Sequence, residues 1–201
     1  MRKHDRTNKP HVVLVTGKTG MGKTTDLLRE PELRRASRVV VWDTKGEWAR
    51  QGFTPVISCS ALIATLKANR AGRFALIPAS LKWFDLFCRA AFAWGECTVL
   101  VEELADVTHP GKAPEAWGML LRRGRDQGCK LYATTQRPSE SDKTISGNVT
   151  RVRSYKLGRG RDRKYMADEF DLPLAGLAAL KPHDWIEIDD HGRVRRGRTR
   201  F

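Results

Sequence analysis

Gly17-Lys18-Thr19-Gly20-Met21-Gly22-Lys23-Thr24 follows the pattern glycine, four residues, glycine, lysine, then serine or threonine, the signature of a phosphate-binding loop. The run His11-Val12-Val13-Leu14-Val15-Thr16 ahead of it reads as a strand, and a helix-capable stretch begins at Gly22. That context matters because the chemistry is geometric. Gly17, Gly20 and Gly22 let backbone amides, including those of Lys18, Thr19 and Met21, wrap a triphosphate, and the helix N-terminus at Thr24 and Thr25 adds positive potential. Lys23 would reach the β- and γ-phosphates, and Thr24 would hold Mg2+, so the pattern points to ATP with Mg2+ as cofactor.

Working outward, short apolar runs rich in β-branched residues alternate with helix-like segments. This predicts an α/β fold with a mostly parallel sheet flanked by helices. Arg38–Trp42 reads as a strand, Ser60 as the cap of a helix through Asn69, and Phe74–Ile77 as the next strand. A helix over Ser80–Trp94 carries Phe84, Phe87, Cys88 and Ala91 on one apolar stripe and stops at Gly95. Thr98–Val101 is a continuous apolar strand, Pro114–Asp126 a helix, Lys130–Thr134 and Val152–Lys156 strands, and Asp162–Phe170 a charged helix. Trp185–Ile188 and Arg193–Arg195, joined by Asp189-Asp190-His191-Gly192, suggest a C-terminal β-hairpin.

A chain of 201 residues is long enough for one well-cored domain and too short for two large ones, so a single domain over 1–201 is expected. Its 37 Lys and Arg against 23 Asp and Glu give a formal charge of +14, which points to a polyanionic partner, nucleic acid first and anionic lipid second. Basic segments lie at 1–10 and 193–201, and five arginines fall between Arg193 and Arg200. That tail is either a phosphate-contacting segment or a floppy, solvated terminus. Arg159-Gly160-Arg161-Asp162-Arg163-Lys164 forms a second cluster, and the scarcity of aromatics near both favours duplex DNA gripped by its backbone over stacked single strands. Cys59, Cys88, Cys97 and Cys129 form no Cys-x-x-Cys pair and read as buried apolar residues of a reducing compartment. The five histidines are too dispersed to propose a metal site. No apolar run approaches a membrane span or follows the charged N-terminus as a secretion signal, so the chain is not expected to be an integral membrane protein.

The strand Cys97-Thr98-Val99-Leu100-Val101 ends in Glu102-Glu103, the acidic residues a nucleotide site needs at the end of a buried strand near its phosphate loop. Glu102 would act through the Mg2+ shell and Glu103 would polarise the attacking water as general base. The first position is usually Asp, and the longer Glu leaves the division of these roles open. Gln136, at the end of the next strand, is placed to contact both γ-phosphate and water.

These segments resemble the FtsK/HerA superfamily of DNA-pumping ATPases. The resemblance rests on Val41-Trp42-Asp43-Thr44-Lys45-Gly46-Glu47-Trp48, on Glu102-Glu103-Leu104-Ala105-Asp106, on Arg122-Arg123-Gly124-Arg125, and above all on Ala133-Thr134-Thr135-Gln136-Arg137-Pro138-Ser139. It implies a RecA-like core working as a homo-oligomeric ring, hexameric in the family, with ATP between subunits and double-stranded DNA in the channel. It also implies an arginine donated by the neighbouring subunit, for which Arg125 and Arg122 are the candidates and Arg151 a competitor. The bare motor is similar to the small genome-packaging ATPases of internal-membrane viruses with double jelly-roll capsids. This would place it in the host cytoplasm or with the virion, facing a portal or membrane protein at a capsid vertex. A plasmid-transfer or filamentous-phage assembly ATPase is the alternative on the same fold. A small P-loop kinase or nucleotide-binding regulator is the alternative of another class, and it does not account for the Thr135-Gln136-Arg137-Pro138-Ser139 segment or the charge.

Overall fold

In the computed structural model, which describes residues 8–201, the first strand β1 (Val12–Thr16) is buried along its whole length. Of the basic segment expected over 1–10, residues 1–7 lie outside the described residues. Helices α1 (Lys23–Arg29) and α2 (Pro31–Arg35) lead to β2 (Arg38–Trp42), then β3 (Thr54–Val56), α3 (Cys59–Ala68) and β4 (Gly72–Leu76). After α4 (Phe84–Trp94) come β5 (Thr98–Val101), α5 (Leu104–Val107) and α6 (Glu115–Arg123). The chain continues with β6 (Lys130–Thr135), α7 (Lys143–Ser146), β7 (Arg151–Tyr155), α8 (Gly160–Phe170), α9 (Leu174–Ala179), β8 (Asp184–Asp189) and β9 (Val194–Arg198).

The strands form one nine-stranded sheet in the order β3-β4-β2-β5-β6-β1-β7-β8-β9. Pairings from β3 to β7 are parallel, and β8 and β9 are added antiparallel as the expected hairpin. The core follows from the period of two along the strands. Leu14, Val40 and Trp42 face one layer, where Trp42 meets Phe84 and Phe87 edge-on at centroid distances of 5.3 and 5.5 Å. Val13, Val15, Val39 and Val41 face the other, with Leu27, Leu33 and Trp48. Helices on both faces explain why the strands read as unbroken apolar runs. All four cysteines are free and buried.

Several local expectations are corrected. The cap of α3 is Ser58, whose Oγ accepts from Ala61 N at 3.1 Å; Ser60 lies inside the helix. Ser58 has the extended backbone (φ −149°, ψ 154°) that turns its hydroxyl toward the first helical amides. Ser80 starts a 3-10 turn over Leu81–Trp83, and α4 begins only at Phe84. Helix α6 stops at Arg123 and continues as a 3-10 turn over Gly124–Gln127. The arginine tail is not a floppy terminus, because Val194–Arg198 pairs with β8 and Thr199 is buried, while the arginine side chains stay exposed. Among the described residues no helix is long and apolar enough to cross a membrane.

Candidate active site

Strand β6 lies between β1 and β5, so the loop after each of the three strands opens on the same end of the sheet. The phosphate loop follows β1, the acidic pair follows β5 and Gln136 follows β6, between them. A cavity of about 280 Å³ is lined there by Thr19, Gly20, Gly22, Lys23, Thr24, Thr25, Lys45, Glu47, Glu102, Glu103, Thr134 and Phe201. A larger cleft of about 530 Å³, lined by Arg38, Leu66 and Trp94 among others, sits near the start of β2 and holds none of the motif residues.

Two glycines of the loop are required by geometry. At Gly17 (φ 149°) a Cβ would stand 2.5 Å from Tyr155 Cβ, and Gly22 (φ 101°) is the left-handed residue that turns the chain into α1. Gly17 N donates to Thr135 O at 3.1 Å and Lys18 N to Lys156 O at 3.0 Å, which pins the loop to the neighbouring strand ends. Buried Lys23 reaches back to the loop, its Nζ donating to Gly17 O at 2.6 Å and Lys18 O at 3.3 Å. Burial lowers its pKa, against the opposing pull of Glu103.

Glu103 adopts a left-handed backbone (φ 52°, ψ 61°), uncommon for a non-glycine residue, at the turn from β5 into α5. Its Oε1 accepts from Gln136 Nε2 at 2.8 Å and Lys45 Nζ at 3.1 Å, and its Oε2 from Gln136 N at 3.3 Å. Gln136 Oε1 in turn accepts from Thr19 Oγ1 at 2.7 Å, so one amide side chain ties the acidic pair to the phosphate loop. Burial pushes the Glu103 carboxyl up, but the Gln136 hydrogen bond and the charges of Lys23 and Lys45 outweigh it and hold the group below the usual carboxylate range.

Glu102 is the opposite case. Burial, then the negative fields of Asp43 and Glu47, push its carboxyl up to about 8, and its Oε2 is buried with no hydrogen-bond partner among the described residues. An orphaned carboxylate oxygen in a cavity shared with the Thr24 hydroxyl and Glu47, which contact each other at 3.4 Å, suits a hard divalent cation. Mg2+ is commonly held by one or two protein oxygens plus substrate phosphates, so Thr24 and Glu102 fit the group.

Lys45 and Glu47 arrive through Asp43. This fully buried carboxylate accepts from the amides of Glu47, Trp48 and Ala49 at 2.9–3.1 Å, folding residues 43–49 into a turn that projects both side chains into the cavity. Asp43→Ala would leave these amides unpaired, at about 1 kcal/mol or more each. We expect roughly 3 kcal/mol of lost stability in urea denaturation. An unchanged midpoint would show the turn to be held by other contacts.

The sequence is 32% identical over 172 residues to protein P9 of Pseudoalteromonas phage PM2, covering 84% of this chain and 78% of that protein. The chain belongs to the protein P9 family. No protein-family model matches it. The fold of this P9-family chain superposes on the genome packaging NTPase B204 from Sulfolobus turreted icosahedral virus 2, in complex with AMPPCP, with a TM-score of 0.79 at 14% identity over 96% of this chain and 98% of that one. B204 of Sulfolobus Turreted Icosahedral Virus, a DNA-packaging ATPase, gives 0.76 at 14% over 96% and 100%. The monomer of the pCW3 conjugation coupling protein TcpA gives 0.60 at 14% over 96% and 61%. The likeness at these identities is one of fold, and it is the P-loop architecture that the motifs imply.

The arginines of the P9-family chain stand apart from this cavity. Arg122 and Arg125 line a separate hollow of about 340 Å³ with His11 and Asn148, near the start of β1 rather than its end. Arg122 folds over Gly118, its Nη1 2.9 Å from where a Cβ would stand there, and Arg125 lies half exposed, 3.8 Å from Asp126. Neither serves its own subunit's phosphate loop. Arg151 is engaged within the chain, with Glu30 at 2.8 Å and Glu187 at 3.8 Å. Sequence reasoning assigned no role to Lys45, Glu47 or Phe201. The first two lie in the quoted 41–48 segment, which was a usable signal, whereas a lone Phe201 offered none.

Proposed function

We propose that this chain is an ATP-hydrolysing motor that drives double-stranded DNA into a viral capsid. The observation that carries this reading is the convergence, on one cavity, of the phosphate loop, the Glu102-Glu103 pair and Gln136. Membership of a phage protein family and a fold shared with viral genome-packaging NTPases support it.

The residues divide the work. Amides of Gly17 to Thr25 bind the phosphates, Lys23 leaves its carbonyl contacts to neutralise the β- and γ-phosphates, and Thr24 and Glu102 hold Mg2+. When bound, Mg2+ supplies charge neutralisation on the transferring phosphoryl group. Glu103 takes the proton of the attacking water, and Gln136 positions that water while sensing the γ-phosphate end of the loop through Thr19. Arg125 or Arg122, distant from their own site, act on the site of the next subunit, and the chain works as a ring, hexameric in our reading. Exposed Arg195, Arg196 and Arg198 on β9 and Arg161 and Lys164 on α8 contact DNA phosphates. A portal or membrane protein at the capsid vertex receives the DNA.

The test is ATP hydrolysis by the purified chain with and without long duplex DNA at two salt concentrations. Stimulation by duplex, weakening as salt rises, is expected. Turnover indifferent to DNA, or phosphate passed to a small acceptor, would remove the motor reading in favour of a kinase or regulator.

A further inference from the structure

The cavity at the phosphate loop is lined by glycine, threonine, lysine and glutamate, with one exception, Phe201. Phosphates and a cation account for the polar residues. They leave the flat, apolar faces of a nucleotide base with a single partner in the cavity wall.

Phe201 is 75% exposed, and among the described residues no other Phe, Tyr or Trp side chain is exposed. The two residues before it are nevertheless held in place. Thr199 is buried, donates its amide to His183 O at 3.0 Å, and shares a 2.7 Å hydroxyl contact with Tyr155. Arg29, at the end of α1, donates to Arg200 O. The ring meets His183 nearly perpendicularly at a centroid distance of 4.7 Å. Its Cζ would lie 3.5 Å from a Cβ on Gly22, and that Cβ would also meet Thr199 at 3.2 Å. The segment after β9 is thus seated where the phosphate loop turns into α1, with the ring of Phe201 largely uncovered.

From this placement we infer that Phe201, carried by the strand β9, is the stacking platform for the base of the nucleotide whose phosphates the loop takes. The inference rests on the nucleotide reading above and names how that site holds the other end of its ligand. Stacking on a π-face is tolerant of base identity, and the threonines of the cavity lie on the phosphate loop, α1 and β6, so a nucleoside triphosphate without strict base selectivity is the ligand class.

Calorimetric titration of the full chain with MgATP and, separately, with magnesium tripolyphosphate tests it, using the parent, Phe201→Ala and Phe201→Tyr. Phe201→Ala should weaken MgATP by roughly 5- to 100-fold, the range expected for one base–aromatic stack, and leave tripolyphosphate unchanged. Phe201→Tyr should restore MgATP affinity. Parent-like MgATP binding by Phe201→Ala, or an equal loss of both ligands, overturns the platform. Failure of the parent to bind either ligand overturns the nucleotide reading and this inference with it.

Discussion

Lys23→Ala is expected to lower kcat/KM for ATP hydrolysis by roughly 10³-fold or more, the scale on which a positioned cation contributes to phosphoryl transfer. The size of the effect follows from burial. Lys23 is 8% exposed and its Nζ is held by the carbonyls of Gly17 and Lys18, so a desolvated ammonium stands within the loop where phosphate oxygens would converge. A charge in such surroundings is worth far more than the same charge in water. Stability should respond little, because the alanine variant gives up a cation whose desolvation is already unfavourable, and the thermal midpoint of the nucleotide-free protein should stay close to the parent's. Phosphate-release kinetics together with ATP titration make the measurement. A variant retaining a tenth of the parental rate would show that the loop does not carry the chemistry.

The second large effect concerns Glu103→Gln. The substitution keeps the shape and, through its one carbonyl oxygen, the contacts to Gln136 Nε2 and Lys45, gives up the Oε2 contact to Gln136 N, and removes the group able to take a proton from water, so kcat should fall roughly 10²- to 10⁴-fold. ATP affinity should remain within about threefold of the parent, since Glu103 meets water and not the phosphates in this scheme. Glu102→Gln provides the contrast. It should weaken Mg2+-dependent binding, because Glu102 holds the cation-seeking oxygen. Measuring both variants by single-turnover hydrolysis and by binding at several Mg2+ concentrations decides the division of roles between the two glutamates. Loss of Mg2+ dependence in Glu103→Gln, with intact binding in Glu102→Gln, would exchange them.

Much of this was legible before any coordinates. The runs at 11–16, 38–42 and 98–101 read as strands because burial on both faces demands apolar residues, and the two latter match the observed limits, while the first begins one residue later, at Val12. The acidic pair and Gln136 were found because each follows such a strand. Other features depend on tertiary context. Ser58 and Ser60 are equivalent as letters, and only the backbone conformation selects the first as cap. The short helices α2, α5, α7 and α9 span four to six residues, too few for a helical period to show. The second hairpin strand is expected over Arg193–Arg195 from the turn before it, but its extent over Val194–Arg198 is set by pairing with β8, since Val-Arg-Arg-Gly-Arg has no apolar alternation. Lys45 and Glu47 enter the site through the amides that Asp43 binds, a relation between residues four to six apart that composition does not reveal.

The arginines of β9 have a second consequence, unrelated to any ligand. Among the described residues β9 and β3 are the two margins of the sheet, and a margin offers unpaired amides and carbonyls onto which a stray strand could add. At one margin β3 is only three residues long and contains Pro55, which has no amide proton to offer. At the other, Arg195, Arg196 and Arg198 place like charges along the rim, so an identical margin from another molecule would be repelled before its backbone could register. The composition that first suggested a polyanionic partner therefore also guards against self-templated aggregation, and neutralising these arginines would remove that safeguard.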